Sequence, residues 1–197
     1  MPIDMGLNTK VLSRLAWFYT GFVIVNFASL LWLFITSYLT IYTDIPLPYF
    51  MLYIPSNIAV LALITLALIL GLYVYLGVVL IRGGLERGYV PTAFAAAMVI
   101  GIVLLFIRQF IASLISLIIA LALMVGVYAV LTSIATHRAS RYMWLVSTLL
   151  IIVTVILALI SRSVVNYVVA TIQSLSILAC AIEVWLIMGR QSQSVVT

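Results

Sequence analysis

Side chains that ionise or bind metals are scarce in this sequence. Its 197 residues include four acidic residues, one histidine and one cysteine, which are Asp4, Asp44, Glu86, Glu183, His137 and Cys180. With a single cysteine, the chain can form neither an internal disulfide nor a cysteine-based metal cluster. With a single histidine, it cannot hold a haem between two of its own histidines.

The few ionisable residues do not form a catalytic set either. Asp44 and Glu86 bracket one apolar run, so we expect them on opposite faces of a membrane. His137 has no accompanying serine or cysteine motif that it would activate as a base. The glycine-rich stretch 83–88 lacks the lysine and the strand–helix context of a phosphate-binding loop, and we interpret it as a turn. We therefore expect a protein that is not an enzyme, with no catalytic, cofactor-binding or metal-binding residues.

Charge of either sign is also scarce. Charged residues make up 7% of the chain and hydrophobic residues 67%, whereas soluble domains contain about a quarter and about a half, respectively. Lipid must therefore surround most of the surface. The apolar runs are continuous rather than alternating, which excludes a transmembrane barrel. The sequence predicts an all-α, polytopic membrane protein, a helical bundle that forms a single integral membrane domain over residues 1–197.

The apolar residues fall into six runs of the length that a membrane span needs, about 20 residues. We predict transmembrane helices at about 15–41, 57–81, 92–108, 111–135, 142–160 and 164–188. The third and fourth runs are separated only by Arg108 and Gln109, so we interpret 91–136 as a helical hairpin. Ala93, Ala97 and Gly101 recur at four-residue spacing in the third run, a pattern that lets membrane helices approach closely.

The basic residues predict the orientation of the six spans. One side carries seven of the nine basic residues, which are Lys10, Arg14, Arg82, Arg87, Arg138, Arg141 and Arg190, and the other side carries Arg108 and Arg162. Because Lys and Arg concentrate in cytoplasmic loops, we predict a cell-membrane protein with both termini in the cytoplasm. The charges are scattered in ones and twos, so we expect no nucleic-acid partner. The expected partners are membrane lipids and other membrane subunits or further copies of the chain.

A polar stripe runs along the sixth predicted span. On a helical wheel five polar side chains fall within about 100° of one another, and they are Asn166, Gln173, Ser176, Cys180 and Glu183. One interpretation is a transport path for a proton, a cation or a solute. The other is a seam of hydrogen bonds between helices, with Glu183 paired to an inner-loop arginine or reaching the interface. Asn26, midway along the first span, has the same two interpretations.

Two further features lie on the predicted outer face. Arg108 and Arg162 are candidate contacts for an anion or a lipid phosphate, and the alternative is that they simply end their spans and extend to the headgroups. The connection 42–56 contains three prolines, which break a helix, and several aromatic residues. It is predicted either to lie on the membrane interface or to cover a pocket.

The sequence leaves two functions open. The first is a non-catalytic subunit or assembly partner of a larger membrane complex, which the lack of catalytic and cofactor residues and the short loops favour. The second is a small-solute transporter or its membrane-embedded substrate-binding subunit, which the six spans and the aromatic outer connection favour. We expect the first function and keep the second as the alternative.

Overall fold

The described part of the chain is entirely helical in the computed structural model. The backbone is described for residues 9–42, 55–157 and 162–193, and the side chains for 10–29, 31, 63–154 and 168–189. Within these ranges there are six α-helices: α1 (Thr9–Tyr42), α2 (Pro55–Arg82), α3 (Tyr89–Phe106), α4 (Phe110–Ile134), α5 (Arg138–Leu157) and α6 (Arg162–Gln193). A 3-10 turn, Glu86–Gly88, precedes α3. The all-α prediction is confirmed.

Five of these helices are long and apolar enough to cross a membrane. They are α1, α2, α3, α4 and α6, each with a suitable stretch of 20 to 25 residues among those described. The prolines agree with the helix starts, since Pro55 begins α2 and Pro91 lies in the first turn of α3, where its missing N–H breaks no helical hydrogen bond. Most of the connection 42–56, residues 43–54, lies outside the described residues.

The six helices form a closed ring. Each helix packs against its neighbours in the chain, and α6 returns to pack against α1. Short connections explain this order for α3 to α6, because a link of two to five residues leaves consecutive helices antiparallel and adjacent. The contact between α3 and α4 is the most extensive in the ring. As predicted, the stretch 91–136 contains two helices joined by a turn.

Small residues bring α3 and α4 together. The Ser113 hydroxyl donates to the Gly101 carbonyl at 2.7 Å, and the Ser116 hydroxyl donates to the Ala97 carbonyl at 2.8 Å. A Cβ atom on Gly101 would lie 2.9 Å from Leu117 Cδ2. The close approach therefore depends on the small residues of α3 and on serine hydroxyls that satisfy its carbonyls.

The prediction of a buried row of small residues is wrong at one position. Ala93 is exposed, whereas Phe94, Ala97 and Gly101 are buried. The spacing of these three is i, i+3 and i+7, which is the face of an ordinary buried helix. Since α3 packs against α2 as well as α4, its buried face is centred on Phe94 rather than on Ala93.

Glycines play a similar role between α2 and α3. A Cβ atom on Gly77 would lie 2.1 Å from Thr92 Oγ1 and 2.7 Å from the Gly88 carbonyl oxygen. A Cβ atom on Gly88 would in turn lie 2.6 Å from the Gly77 carbonyl oxygen. The glycine-rich stretch 83–88 thus forms a turn, and its last glycine also sets the distance between two helices.

The turn between α3 and α4 contains a left-handed residue. Arg108 has a φ of 62°, and among the described residues no other non-glycine has a positive φ. Its N–H donates to the Leu105 carbonyl at 3.1 Å, and the Gln109 N–H donates to the Leu104 carbonyl at 2.9 Å. This is the Schellman arrangement, in which glycine usually occupies the left-handed position. Arg108 therefore carries backbone strain, and its side chain is exposed.

We predict that Arg108→Gly stabilises the protein. Glycine adopts the left-handed conformation without steric cost, so the free energy of unfolding should rise by about 1 kcal/mol. Denaturant unfolding of the purified chain in detergent measures the change. The control is Gln109→Gly, because Gln109 has a φ of −85° and gains nothing from glycine. If Arg108→Gly destabilises the protein more than the control, the strain interpretation is wrong.

Candidate functional site

A cavity of about 290 Å³ lies at the centre of the ring, and every helix contributes to its wall. It is partly open. Six of its lining residues, one from each helix in order from α1 to α6, are Asn26, Tyr73, Phe94, Tyr128, Thr154 and Gln173. The ring arrangement produces this cavity, because consecutive helices pack side by side and leave space on the inner side.

The wall of the cavity is mainly apolar and aromatic. The rings of Tyr73 and Phe94 meet edge to face with centroids 5.0 Å apart, and those of Phe22 and Tyr73 with centroids 6.2 Å apart. Such edge-to-face contacts stabilise aromatic clusters and hold the rings in place. Among the described residues that line the cavity, none is charged. The site therefore suits a neutral molecule with a large apolar surface.

A pair of carboxamides links α1 to α6 at the cavity wall. The Gln173 Nε2 group donates to Asn26 Oδ1 at 3.4 Å. Asn26 is only 4% exposed, and its Nδ2 group donates to the Phe22 carbonyl at 2.9 Å, one turn earlier in α1. The buried asparagine is thus held by its own helix and presents its oxygen to Gln173.

Hydroxyl groups form a second polar feature, and two of them belong to Tyr73 and Tyr128, which line the cavity. Ser176 Oγ lies 3.2 Å from the Tyr128 hydroxyl oxygen, within hydrogen-bond distance. The Tyr73 hydroxyl is close enough to that of Tyr128 to interact with it. These three side chains come from α2, α4 and α6. No two of these helices are neighbours in the ring, so the hydroxyls connect helices across it.

A separate polar cluster surrounds Glu183, which is fully buried near the C-terminal end of α6. The backbone N–H groups of Thr136 and His137 donate to its Oε1 at 2.9 and 3.2 Å. The Thr136 hydroxyl donates to Oε2 at 2.5 Å, and the Ser140 hydroxyl donates to Oε1. A carboxylate has acceptor sites for all four donors, so its polar atoms are well satisfied.

These bonds join α6 to the N-terminal end of α5. Thr136 and His137 directly precede α5, where N–H groups have no helical acceptor and the helix dipole favours negative charge. At the same end, His137 Nδ1 accepts the Ala139 N–H at 3.1 Å. An inner-loop arginine was one predicted partner of Glu183. The structure instead gives backbone N–H groups and hydroxyls, because the α5 N-terminus brings unsatisfied donors next to the carboxylate.

The remaining predicted site residues have varied positions. Ser176 is buried and Gln173 is half-buried, both on the inner face of α6. Asn166 and Arg162 belong to the first two turns of α6, and their side chains lie outside the described residues. Arg108 is exposed at the α3–α4 turn and does not line the cavity. The polar stripe therefore contributes Gln173 to the cavity and Glu183 to a separate contact between helices.

Sequence reasoning missed the aromatic wall. Tyr73, Phe94 and Tyr128 were not among the predicted site residues, although all three line the cavity. A signal for two of them exists in the sequence. Tyr73 and Tyr128 lie well inside apolar runs, whereas tyrosines of membrane proteins concentrate at the ends of spans. A tyrosine inside a span needs a polar partner within the bundle.

We predict that two buried serines of α5 respond in opposite ways to substitution by alanine. Ser140 and Ser147 are both 0% exposed, but Ser140 bonds to Glu183 whereas Ser147 Oγ has no hydrogen-bond partner. Ser140→Ala should lower the free energy of unfolding by about 1–3 kcal/mol, because a buried carboxylate loses a donor. Ser147→Ala should leave it unchanged or raise it by up to about 1 kcal/mol, because an unsatisfied hydroxyl is removed.

Parallel unfolding measurements on the two purified variants provide the comparison, and each serves as the control for the other. Both substitutions remove one hydroxyl from the same helix, so effects on expression and helix propensity are matched. Equal losses of stability in Ser140→Ala and Ser147→Ala would contradict the assignment of the Glu183 contact as a stabilising one.

Within the described residues, no three His, Cys, Asp or Glu side chains lie close enough together to hold a metal ion. Comparison of the chain with protein-family models, with curated proteins and with solved structures finds no match. The central cavity, with its carboxamide pair and aromatic wall, is therefore the feature from which a function can be inferred.

Proposed function

We propose that this chain is a non-catalytic multi-pass protein of the cell membrane that binds a small, neutral, largely apolar solute in its central cavity. It would act as a small-solute transporter or as the membrane-embedded substrate-binding subunit of one. The observation that carries the proposal is the cavity of about 290 Å³ to which all six helices contribute. Of the two functions that the sequence leaves open, this feature favours the second.

The size and the lining of the cavity support binding rather than loose packing. Protein interiors contain few voids larger than a water molecule, and ligand pockets occupy about 300–1,000 Å³ with apolar walls and a few polar groups. The volume of the cavity is just below this range, and its walls have this composition. A charged solute would lose its hydration without gaining a charged partner, which is costly. The solute is therefore neutral.

The first function that the sequence leaves open is compatible with this proposal. A substrate-binding subunit also assembles with other membrane subunits, and the exposed apolar faces of the described helices are available for that purpose. We therefore keep other membrane subunits, further copies of the chain and membrane lipids as its partners, and we propose no nucleic-acid partner. An isolated assembly factor, by contrast, has no need of a cavity at the centre of its own bundle.

The proposal includes the membrane topology. We propose that α5 also spans the membrane, which makes six spans in all, and that both termini lie in the cytoplasm, since this leaves only Arg108 and Arg162 among the basic residues on the outer face. In this orientation the Glu183 cluster lies at the cytoplasmic end of the bundle and the α3–α4 turn lies outside. Arg108 and Arg162 would then contact lipid phosphates or a soluble anion at the outer surface.

We predict that filling the cavity abolishes solute binding. A panel of neutral solutes is tested for an increase in the melting temperature of the chain in mild detergent, because a ligand at 100 times its Kd stabilises by about 2.7 kcal/mol. Thr154→Phe places a ring in the cavity and should remove the response to any solute that stabilises the unmodified chain. Val153→Phe adds the same ring on the exposed side of α5 and should keep the response.

The result is decisive in either direction. A solute that stabilises the unmodified chain and Val153→Phe, but not Thr154→Phe, supports binding in the cavity. A solute that stabilises Thr154→Phe equally well binds elsewhere, and the absence of any stabilising solute counts against the proposed function.

We also predict the sidedness of two exposed positions. Gln109→Cys, at the α3–α4 turn, should react with a membrane-impermeant maleimide in intact cells, whereas Arg138→Cys, at the start of α5, should react only after permeabilisation. Both are made in a Cys180→Ala chain, because Cys180 is the one native cysteine. Cysteine labelling of Arg138→Cys in intact cells would overturn the six-span topology.

A further inference from the structure

The carboxamide of Gln173 has hydrogen-bonding groups that no atom of the described residues uses. Among the described residues its single partner is Asn26, which accepts from Nε2 at 3.4 Å. A carboxamide carries two N–H donors and an oxygen with two lone pairs. One N–H and Oε1 of Gln173 are therefore available to a ligand, and the side chain lines the cavity.

Asn26 holds this carboxamide in place. Its own side chain is 4% exposed and is fixed by the bond from Nδ2 to the Phe22 carbonyl at 2.9 Å. Because Asn26 Oδ1 accepts one N–H of Gln173, the plane of the Gln173 amide is oriented before a ligand arrives. Preorganised polar groups bind with a smaller loss of conformational entropy. Asn26 is thus a positioning residue and Gln173 the residue that contacts the solute.

The remaining walls define the shape of the ligand. Phe22, Tyr73, Phe94 and Tyr128 contribute aromatic rings to the cavity, and aromatic faces and edges pack well against a flat ring. With a volume of about 290 Å³, the cavity admits a ring system of one or two fused rings with small substituents. The uncharged lining excludes a carboxylate or an ammonium group as the polar part.

We propose that the solute is a flat, neutral ring compound with an N–H and a C=O on neighbouring ring atoms, that is, a cyclic amide. Its C=O accepts the remaining N–H of Gln173 and its N–H donates to Gln173 Oε1, so that the two planar amides pair through two hydrogen bonds. Both bonds form in an apolar, largely desolvated site, where a missing partner is costly. The proposal rests on the solute-binding function above and names the chemical class of its ligand.

Three probes of similar shape test this assignment: carbostyril, which is a two-ring cyclic amide, its N-methyl derivative, which lacks the N–H, and naphthalene, which lacks both groups. Binding to the complete chain in mild detergent is measured by calorimetry. Carbostyril should bind about tenfold more tightly than N-methylcarbostyril, the effect expected of one well-placed hydrogen bond in a buried site. Naphthalene should bind more weakly than carbostyril by at least the same factor.

Variants then assign the preference to Gln173. Gln173→Met keeps the length of the side chain but removes its polar groups, so carbostyril should bind no more tightly than N-methylcarbostyril or naphthalene. Ser174→Ala, on the exposed side of α6, should keep the tenfold preference for carbostyril. Retained naphthalene binding in Gln173→Met shows that the cavity of this variant is intact.

Each outcome decides the proposal. A preference for carbostyril that disappears in Gln173→Met and persists in Ser174→Ala supports it. Equal affinities of the three probes for the unmodified chain overturn the cyclic-amide assignment, and so does a preference for carbostyril that survives in Gln173→Met. Neither outcome contradicts solute binding in the cavity. If none of the probes binds, the cyclic-amide assignment is wrong, and the Thr154→Phe comparison separately decides the broader function.

Discussion

The closed arrangement of the helices depends on the hydrogen bonds that the buried carboxylate of Glu183 accepts. This residue belongs to α6, and it receives two backbone N–H groups and one hydroxyl from the connection between α4 and α5 and a second hydroxyl, that of Ser140, from the first turn of α5. In lipid, such donors have no water to bond with, so an unsatisfied helix end is far more costly than in a soluble protein. One side chain thus satisfies the start of α5 and attaches α6 beside it. The ring around the cavity requires that attachment.

Much of the fold was predictable because the lengths of the apolar runs carry the information. The predicted spans 57–81 and 111–135 agree with α2 and α4 to within two residues at each end. The inner faces were harder to predict, because a membrane helix is apolar on its lipid side as well as its buried side. The exposed Ala93 illustrates this limit. The four-residue spacing of the small residues could not show that α3 packs against both α2 and α4. The contact between α1 and α6, which closes the ring, was likewise not predicted from the sequence.

The polar residues of the site were more visible than the apolar ones. Asn26, Gln173 and Glu183 stand out because polar groups inside an apolar run must find partners. Their partners were not predictable, since two of the four donors to Glu183 are backbone N–H groups at a helix end. The aromatic wall was less visible. Tyr73 and Tyr128 lie well inside apolar runs, where a tyrosine needs a polar partner. Phe94 has no such signal, and only the three-dimensional ring shows that the three residues share a cavity.

The order of contacts in the ring has a consequence for the synthesis of the chain. Each of the helices α2 to α5 can pack on the preceding helix as soon as it has entered the membrane, because these helices contact their neighbours in sequence. The contact of α1 with α6 joins the two ends of the chain and must wait for the last helix. Until then Asn26 lacks Gln173, and the inner wall of the incomplete ring faces lipid. The nascent protein therefore lacks the contact between α1 and α6, and its central cavity is complete only after the last helix has been inserted.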